Sequence, residues 1–219
     1  HVAQSAEEYQ RSMEQSGCSP VERLQRLGVL EAGPGMLLVH GLYISHADID
    51  LLEADRHVLG YCPYSQVQFG FPAAFEDWIE AGLPYQLGTD CGACNDTMNV
   101  QQELRLLAHG RSFTTTDSPA ARTFRAASNL PRALELDEVR KKSWQTASRV
   151  TQAEDLLRSV WKTPGQCAPG TSFGELAVGH HANLAVWDLD HPNCWPAPSP
   201  LRTLTMGDTA GALWGLMLT

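Results

Sequence analysis

Long apolar runs are missing from this sequence: none approaches the ~20 residues a helix needs to cross a bilayer. Positive charge is scarce. Sixteen Lys and Arg against 25 Asp and Glu leave a net charge of −9 and a pI near 5.3. A chain this acidic, with its cations scattered, suits neither nucleic-acid phosphates nor an anionic membrane. Low-complexity tracts and internal repeats are absent, and 43% hydrophobic with 19% charged residues is a globular composition. Regular cysteine spacing is lacking too. Cys18, Cys62, Cys91, Cys94, Cys167 and Cys194 are irregularly placed in a 219-residue chain too large to need staples, which reads as reduced thiols in a cytoplasmic protein. Cys91-Gly-Ala-Cys94 is a CxxC, but no second CxxC or His pair follows at zinc-finger spacing. An initial Met is absent as well. The chain opens His1-Val-Ala-Gln-Ser with nothing of the signal-peptide kind, which suggests a segment upstream.

What is present is an alternation of helical and strand patterns. Residues 7–16 are polar and helix-prone, with Gly17 as a stop. Ser19-Pro20 opens a second helix with Val21, Leu24 and Leu27 at helical spacing. Met36-Leu-Leu-Val39 reads as a buried parallel strand ending at His40. Ser45 to Ala54 reads as a helix opened by a capping box of Ser45 and Asp48. Val58 to Tyr61 is a strand closed by Cys62-Pro63, Pro72 to Ala81 an amphipathic helix, and Leu83 to Leu87 a strand running into Gly88-Thr89-Asp90. Val100 to His109 and Thr151 to Lys162 are helical. Between them, Ser112 to Arg149 is polar and helix-prone, broken by Pro119 and Pro131. This rhythm predicts βα units around a parallel sheet. The texture then changes. Pro164, Pro169 and Gly170 mark a linker, Gly174 to Gly179 a tight turn, and Ala182 to Asp188 a strand. Pro192 to Pro200 form an extended loop, and Leu213 to Leu218 a further strand left open at the terminus.

Chemistry concentrates where polar groups follow apolar strands. His40 ends one strand, Asp90 another, and His1 would end a strand lying upstream. In parallel α/β folds the carboxyl ends of strands face the active site. Two His and an Asp so placed can hold a metal ion whose bound water becomes the nucleophile. Taken singly, each has a structural reading: a strand-end His is commonly packing, and Gly-Thr-Asp can be a turn whose Asp caps the next helix.

The ordered set of motifs resembles the amidohydrolase superfamily, in its chlorohydrolase and aminohydrolase branch. His1-Val-Ala-Gln-Ser-Ala-Glu-Glu resembles the strand-five motif, and Leu38-Val39-His40-Gly41 with Asp48-Ile-Asp-Leu-Leu52 the strand-six segment. Cys62-Pro63-Tyr64-Ser65 resembles the Cys-Pro-x-Ser of strand seven, and Leu87-Gly88-Thr89-Asp90 strand eight. Gly174 to Asp188 is similar to the segment that opens the family's C-terminal β-domain. The resemblance covers most of the chain. It implies an α/β fold: strands five to eight of a (β/α)8 barrel over residues 1–168, then part of a β-rich domain over 169–219. It implies one Zn2+, with Fe2+ as the alternative, bound by His1 and Asp90. Asp90 would also take a proton from the water, and His40 would contact the water or the substrate. The implied activity is hydrolysis of a C–N or C–Cl bond in a small, cyclic nitrogenous molecule. A homodimer is common among proteins it resembles.

Two departures stand out. The family's acid/base Glu, three residues after the strand-five His, is Gln4 here, which cannot shuttle protons but can contact substrate. Gln at that position also occurs in imidazolone-ring hydrolases, so a ring-opening amidase is the alternative, beside a decayed barrel serving as a binding subunit. Glu7 and Glu8 fit a helix start directed away from the pocket. His180, His181 and Asn183 replace the usual Lys and Asp, and read as a surface turn. The family's His-x-His pair of strand one is absent from the sequence. Four strands cannot close a barrel, so the segment alone is expected to be inactive and poorly soluble. Cys91, Cys94, Asn95 and Tyr64 follow strand ends and are candidates to line the pocket, or else to pack within loops.

Overall fold

In the computed structural model, residues 1–70, 75–110, 152–167 and 170–219 are described, together with 130–132, 134–136 and 138. The expected helical stretch from 112 to 149 lies largely outside the described residues.

Helix α1 (Ala6–Ser16) starts at Ser5, whose hydroxyl accepts the Glu8 N–H, and stops at Gly17 with φ 65°. Glu8 turns its carboxylate back onto the chain: Oε1 accepts from the Ala3 N–H at 3.0 Å and Oε2 from the Gln4 N–H at 2.7 Å. Both donors lie just before the cap Ser5, so the helix is tied to the segment that leads into it. Helix α2 (Pro20–Arg26) has Ser19 as its cap and Pro20 in the first turn.

Three parallel strands then form one sheet, in the order β1 (Met36–Val39), β2 (His57–Tyr61), β3 (Tyr85–Leu87). Val2 joins its edge by a parallel bridge to His40. Neighbours in space are neighbours in sequence, as short βα connections require. The strand β1 is only partly buried: Leu38 is enclosed, but Leu37 is exposed. Helix α3 (His46–Ile49) opens with the Ser45/Asp48 capping box, but lasts one turn rather than running to Ala54. The tight bonds Leu51 N–H to Asp48 and Leu52 N–H to Ile49 close it. Asp48 is held as well by the buried Ser19 hydroxyl.

Pro63 does more than close β2. It opens helix α4 (Pro63–Phe69), because proline fits the first helical turn, where an N–H has no partner. Helix α5 (Phe75–Glu80) lies within the stretch expected to be helical, with Gly82 at φ 72° beyond it. Helices α6 (Gly92–Asn95), α7 (Val100–Gly110), α8 (Ala153–Val160) and α9 (Lys162–Gln166) follow. Pro164 thus sits inside a helix rather than in a linker.

Alternate strand residues divide the sheet into two faces. Leu38, Leu59, Tyr61, Tyr85 and Leu87 point into the helix layer and meet Ile49, Leu52, Trp78, Leu104 and Leu156. Tyr61, Phe75, Trp78 and Tyr85 form an aromatic cluster with ring centroids 4.8–6.1 Å apart. The opposite face, from the row Val39, Gly60, Gln86, is small or polar and borders a cavity.

Beyond residue 170, β4 (Leu184–Trp187) pairs antiparallel with β5 (Leu213–Met217), as the two late strand patterns suggest. The proline-rich stretch between them is not a plain loop. Pro200 opens helix α10 (Pro200–Met206), which Gln101 of α7 holds by a bond from Nε2 to the Leu204 carbonyl at 2.6 Å.

Candidate active site at the strand ends

The cavity has a volume of about 370 Å³ and is lined by His1, Val39, Gly60, Cys62, Gln86, Gly88, Asp90 and Cys91. Its floor is the small-residue face of the sheet. Its polar rim is the set of residues just past the strand ends, so His1 and Asp90 border the same space. His40 and Asp90 are brought together with Cys62: one ligand atom from each lies within 4.8 Å of the other two. His1 approaches from the edge, its Nδ1 3.2 Å from His40 Nε2, with the rings nearly perpendicular.

Backbone strain marks the same positions. His40 has φ 78° and Asp90 φ 57°, a region that non-glycine residues rarely occupy. Such conformations cost on the order of 1–3 kcal/mol and persist only where the surroundings impose them. For His40 they do so through its N–H to the Gly60 carbonyl and the Gly41 N–H to the Val2 carbonyl.

His40 is 1% exposed, and its Nδ1 has no hydrogen-bond partner among the described residues. Burial lowers its pKa from the ordinary 6.5, outweighing the attraction of Asp90. The ring is therefore neutral at pH 7. With one N–H and two nitrogens, it leaves a buried polar atom without a partner, the kind of vacancy that costs free energy unless a ligand fills it. Cys62 stays a thiol: burial, then the Asp90 and Glu103 carboxylates, push its pKa up to about 12. Asp90 is oriented by Ser65, whose Oγ donates to its Oδ2 at 2.8 Å.

The depressed His40 pKa has a consequence for stability. The unfolded ring takes up its proton near 6.5 and the folded ring only at lower pH, so the unfolded state binds more protons in between. Stability contributed by neutral His40 is complete above 6.5 and falls as pH drops through that value, levelling once the folded ring is itself protonated. Urea melts in chelator at about pH 7.5 and about pH 5.5 should show wild type losing more stability than His40→Gln.

Gln4 contacts His1, with Oε1 3.3 Å from His1 Nδ1. Cys91 borders the cavity. Tyr64 does not line it, and its N–H donates to Glu103. The Asn95 side chain lies outside the described residues. His180 and His181 lie in the turn region before β4, with no part in the cavity. The sequence reading gave no role to Ser65 or Cys62, although the Cys-Pro-x-Ser motif at the end of β2 contains both.

No family model matches the chain. Among characterised proteins, it is 26% identical over 214 residues to the 5-methylthioadenosine/S-adenosylhomocysteine deaminase of Pyrococcus abyssi, covering 96% of this chain and 42% of that protein. The corresponding deaminase of Aquifex aeolicus is 25% identical over 202 residues, covering 92% and 39%. The chain thus spans about two fifths of the length of these relatives. Among solved structures, a zinc-bound adenosine deaminase from Xanthomonas campestris superposes with a TM-score of 0.75 at 21% identity, over 100% of this chain and 43% of that one. A zinc complex of atrazine chlorohydrolase from Arthrobacter aurescens gives 0.72 at 21%, over 100% and 42%. These proteins are all of the amidohydrolase superfamily, and the resemblance read from the motifs is to that superfamily.

Proposed function

We propose that this chain carries strands five to eight of a metal-dependent amidohydrolase barrel over residues 1–168, followed by part of a β-rich domain. On this reading it removes a ring amine, by hydrolysis of a C–N bond, from a small nitrogenous substrate of the adenine nucleoside class. The observation that carries the reading is the gathering of His1, His40 and Asp90 on one side of the sheet: His40 follows β1, Asp90 follows β3 and His1 stands at the edge, with a cavity lined by His1 and Asp90 and with His40 Nδ1 buried without a partner among the described residues. The names of the relatives supply the amine; they favour neither a ring-opening amidase nor a decayed barrel.

The donor set fits a borderline cation. Imidazole nitrogen and carboxylate oxygen are zinc ligands, and the zinc-bound neighbours favour Zn2+ over Fe2+. His1 and Asp90 would hold the ion, with Cys62 close enough to join only by surrendering its proton. When bound, zinc lowers the pKa of a water and polarises the carbon under attack. The chain's own groups do the rest. Asp90, steadied by the Ser65 hydroxyl, accepts the proton of the attacking water. Neutral His40 donates a hydrogen bond to charge that develops on the substrate ring. Gln4 cannot carry a proton. It orients His1 and offers an amide to the substrate, so proton delivery to the departing amine falls to Asp90.

The test is ammonia release from 5-methylthioadenosine by a protein in which this chain is joined to a barrel half carrying the strand-one His-x-His pair, supplied with zinc, against a metal-free control. Release that depends on zinc supports the reading; none at any zinc concentration, with metal bound, rejects the substrate class. Ser65→Ala is expected to lower kcat by 10- to 100-fold, roughly the cost of losing a group that orients a ligand. The loss should appear in kcat more than in KM, since Ser65 touches Asp90 rather than substrate. We also propose a cytoplasmic setting, which the six free cysteines suit. No helix among the described residues is long and apolar enough to cross a membrane.

A further inference from the structure

Beside the strand-end site lies a second group of donors, of which the hydrolytic reading uses only Asp90. Cys91 caps helix α6 and Cys94 sits one turn on, so their side chains rise on the same side. Their sulfurs are 3.2 Å apart. An Asp90 carboxylate oxygen, Cys91 Sγ and Cys94 Sγ all lie within 4.8 Å of one another. Cys94 is 4% exposed and Cys91 is open to solvent.

We propose that Asp90, Cys91 and Cys94 form a binding site for a thiophilic divalent cation beside the site that His1 and His40 face, sharing the Asp90 carboxylate with it and bordering the same cavity through Cys91. Two sulfurs three residues apart chelate one ion without backbone movement, and sulfur ligands select zinc or cadmium over magnesium or calcium. A carboxylate has about four acceptor positions. Asp90 spends one on the Ser65 hydroxyl, which leaves capacity for an ion on either side. The exposed Cys91 gives the cation a way in, and the buried Cys94 gives it a sulfur shielded from water. The inference stands on these distances and does not rest on the deaminase reading. Sequence spacing alone could not raise it, because the third donor comes from the end of β3 rather than from a second cysteine pair.

Cadmium is the probe, added to the reduced full chain, with thiolate-to-cadmium charge-transfer absorption as the readout. The band is expected in wild type, to be lost in Cys91→Ser and in Cys94→Ser, and to persist in Cys62→Ser and His40→Gln. In parallel, peptide mapping of the unmutated chain after iodoacetamide treatment should show Cys91 and Cys94 protected by cadmium while Cys167 is alkylated. This second readout does not depend on any variant folding. A band lost in Cys62→Ser and kept in the other two would move the ion to the His40, Cys62 and Asp90 group and overturn the proposal. So would alkylation of Cys91 and Cys94 at saturating cadmium, or a Cys91–Cys94 disulfide that persists in reductant. Ammonia release plays no part in either readout, so failure here and failure of the deaminase reading are separate results.

Discussion

Replacing Asp90 by Asn should reduce kcat/KM for the proposed deamination by about 10⁴-fold, the upper range for loss of a positioned acid–base group. The substitution is chosen for what it leaves alone. Asn has the shape of Asp, tolerates a positive φ such as the 57° found at this position, and can still accept from Ser65 Oγ. It cannot take a proton from water, and it is a weaker zinc ligand. Circular dichroism and the urea midpoint should therefore stay close to wild type while ammonia release collapses. Zinc content, measured alongside, separates the two losses: a protein with normal zinc and no turnover has lost its base, and a zinc-free protein has lost a ligand. Activity within tenfold of wild type would remove Asp90 from the mechanism.

Trp78→Ala should cost roughly 3–5 kcal/mol of unfolding free energy, the range for truncating a buried aromatic ring. Trp78 is 0% exposed, packs edge-on against Tyr61 and Phe75, and touches the helix-facing side of the sheet. Its indole N–H has no hydrogen-bond partner among the described residues, so its contribution is packing alone. Trp78→Phe should therefore cost much less, since no hydrogen bond is broken and most of the ring volume remains. Urea denaturation of the full chain checks both. A Phe variant as unstable as the Ala variant would mean that the indole nitrogen matters after all.

How much of this was legible in the sequence can be judged residue by residue. His40 and Asp90 were readable because each is a polar group directly after an apolar strand, and strand ends in a parallel sheet gather on one side. The Ser45/Asp48 capping box was equally plain, since its hydrogen bonds are local. Helix length was not. The α3 segment stops after one turn through tight bonds between near neighbours, which the apolar spacing of Ile49 and Leu52 does not reveal. Proline misled in a consistent way: Pro63 and Pro200 look like breaks, yet each opens a helix, because ring geometry suits the first turn. The place of Ser65 needed the fold. Nothing in the spacing of residues 65 and 90 tells that a hydroxyl at the start of α4 reaches the carboxylate at the end of β3. The orphaned nitrogen of His40 is likewise a property of packing, visible only once every neighbour is in place.

The two faces of the sheet also separate what mutation can reach. On the helix side, Leu38, Leu59 and Tyr85 are enclosed, and any change there is paid in folding free energy. On the cavity side, the row Val39, Gly60 and Gln86, with Gly88 beyond, lines the cavity. A methyl group added at Gly88 would rest 3.6 Å from Cys62 Sγ, an ordinary contact. One added at Gly60 would press on Val39 at 3.3 Å. The floor of the cavity can therefore be raised at Gly88 while the helix layer stays as it is. Volume can thus be taken from the cavity at Gly88 without disturbing the helix-side core, so the shape of the cavity and the stability of the fold answer to different residues.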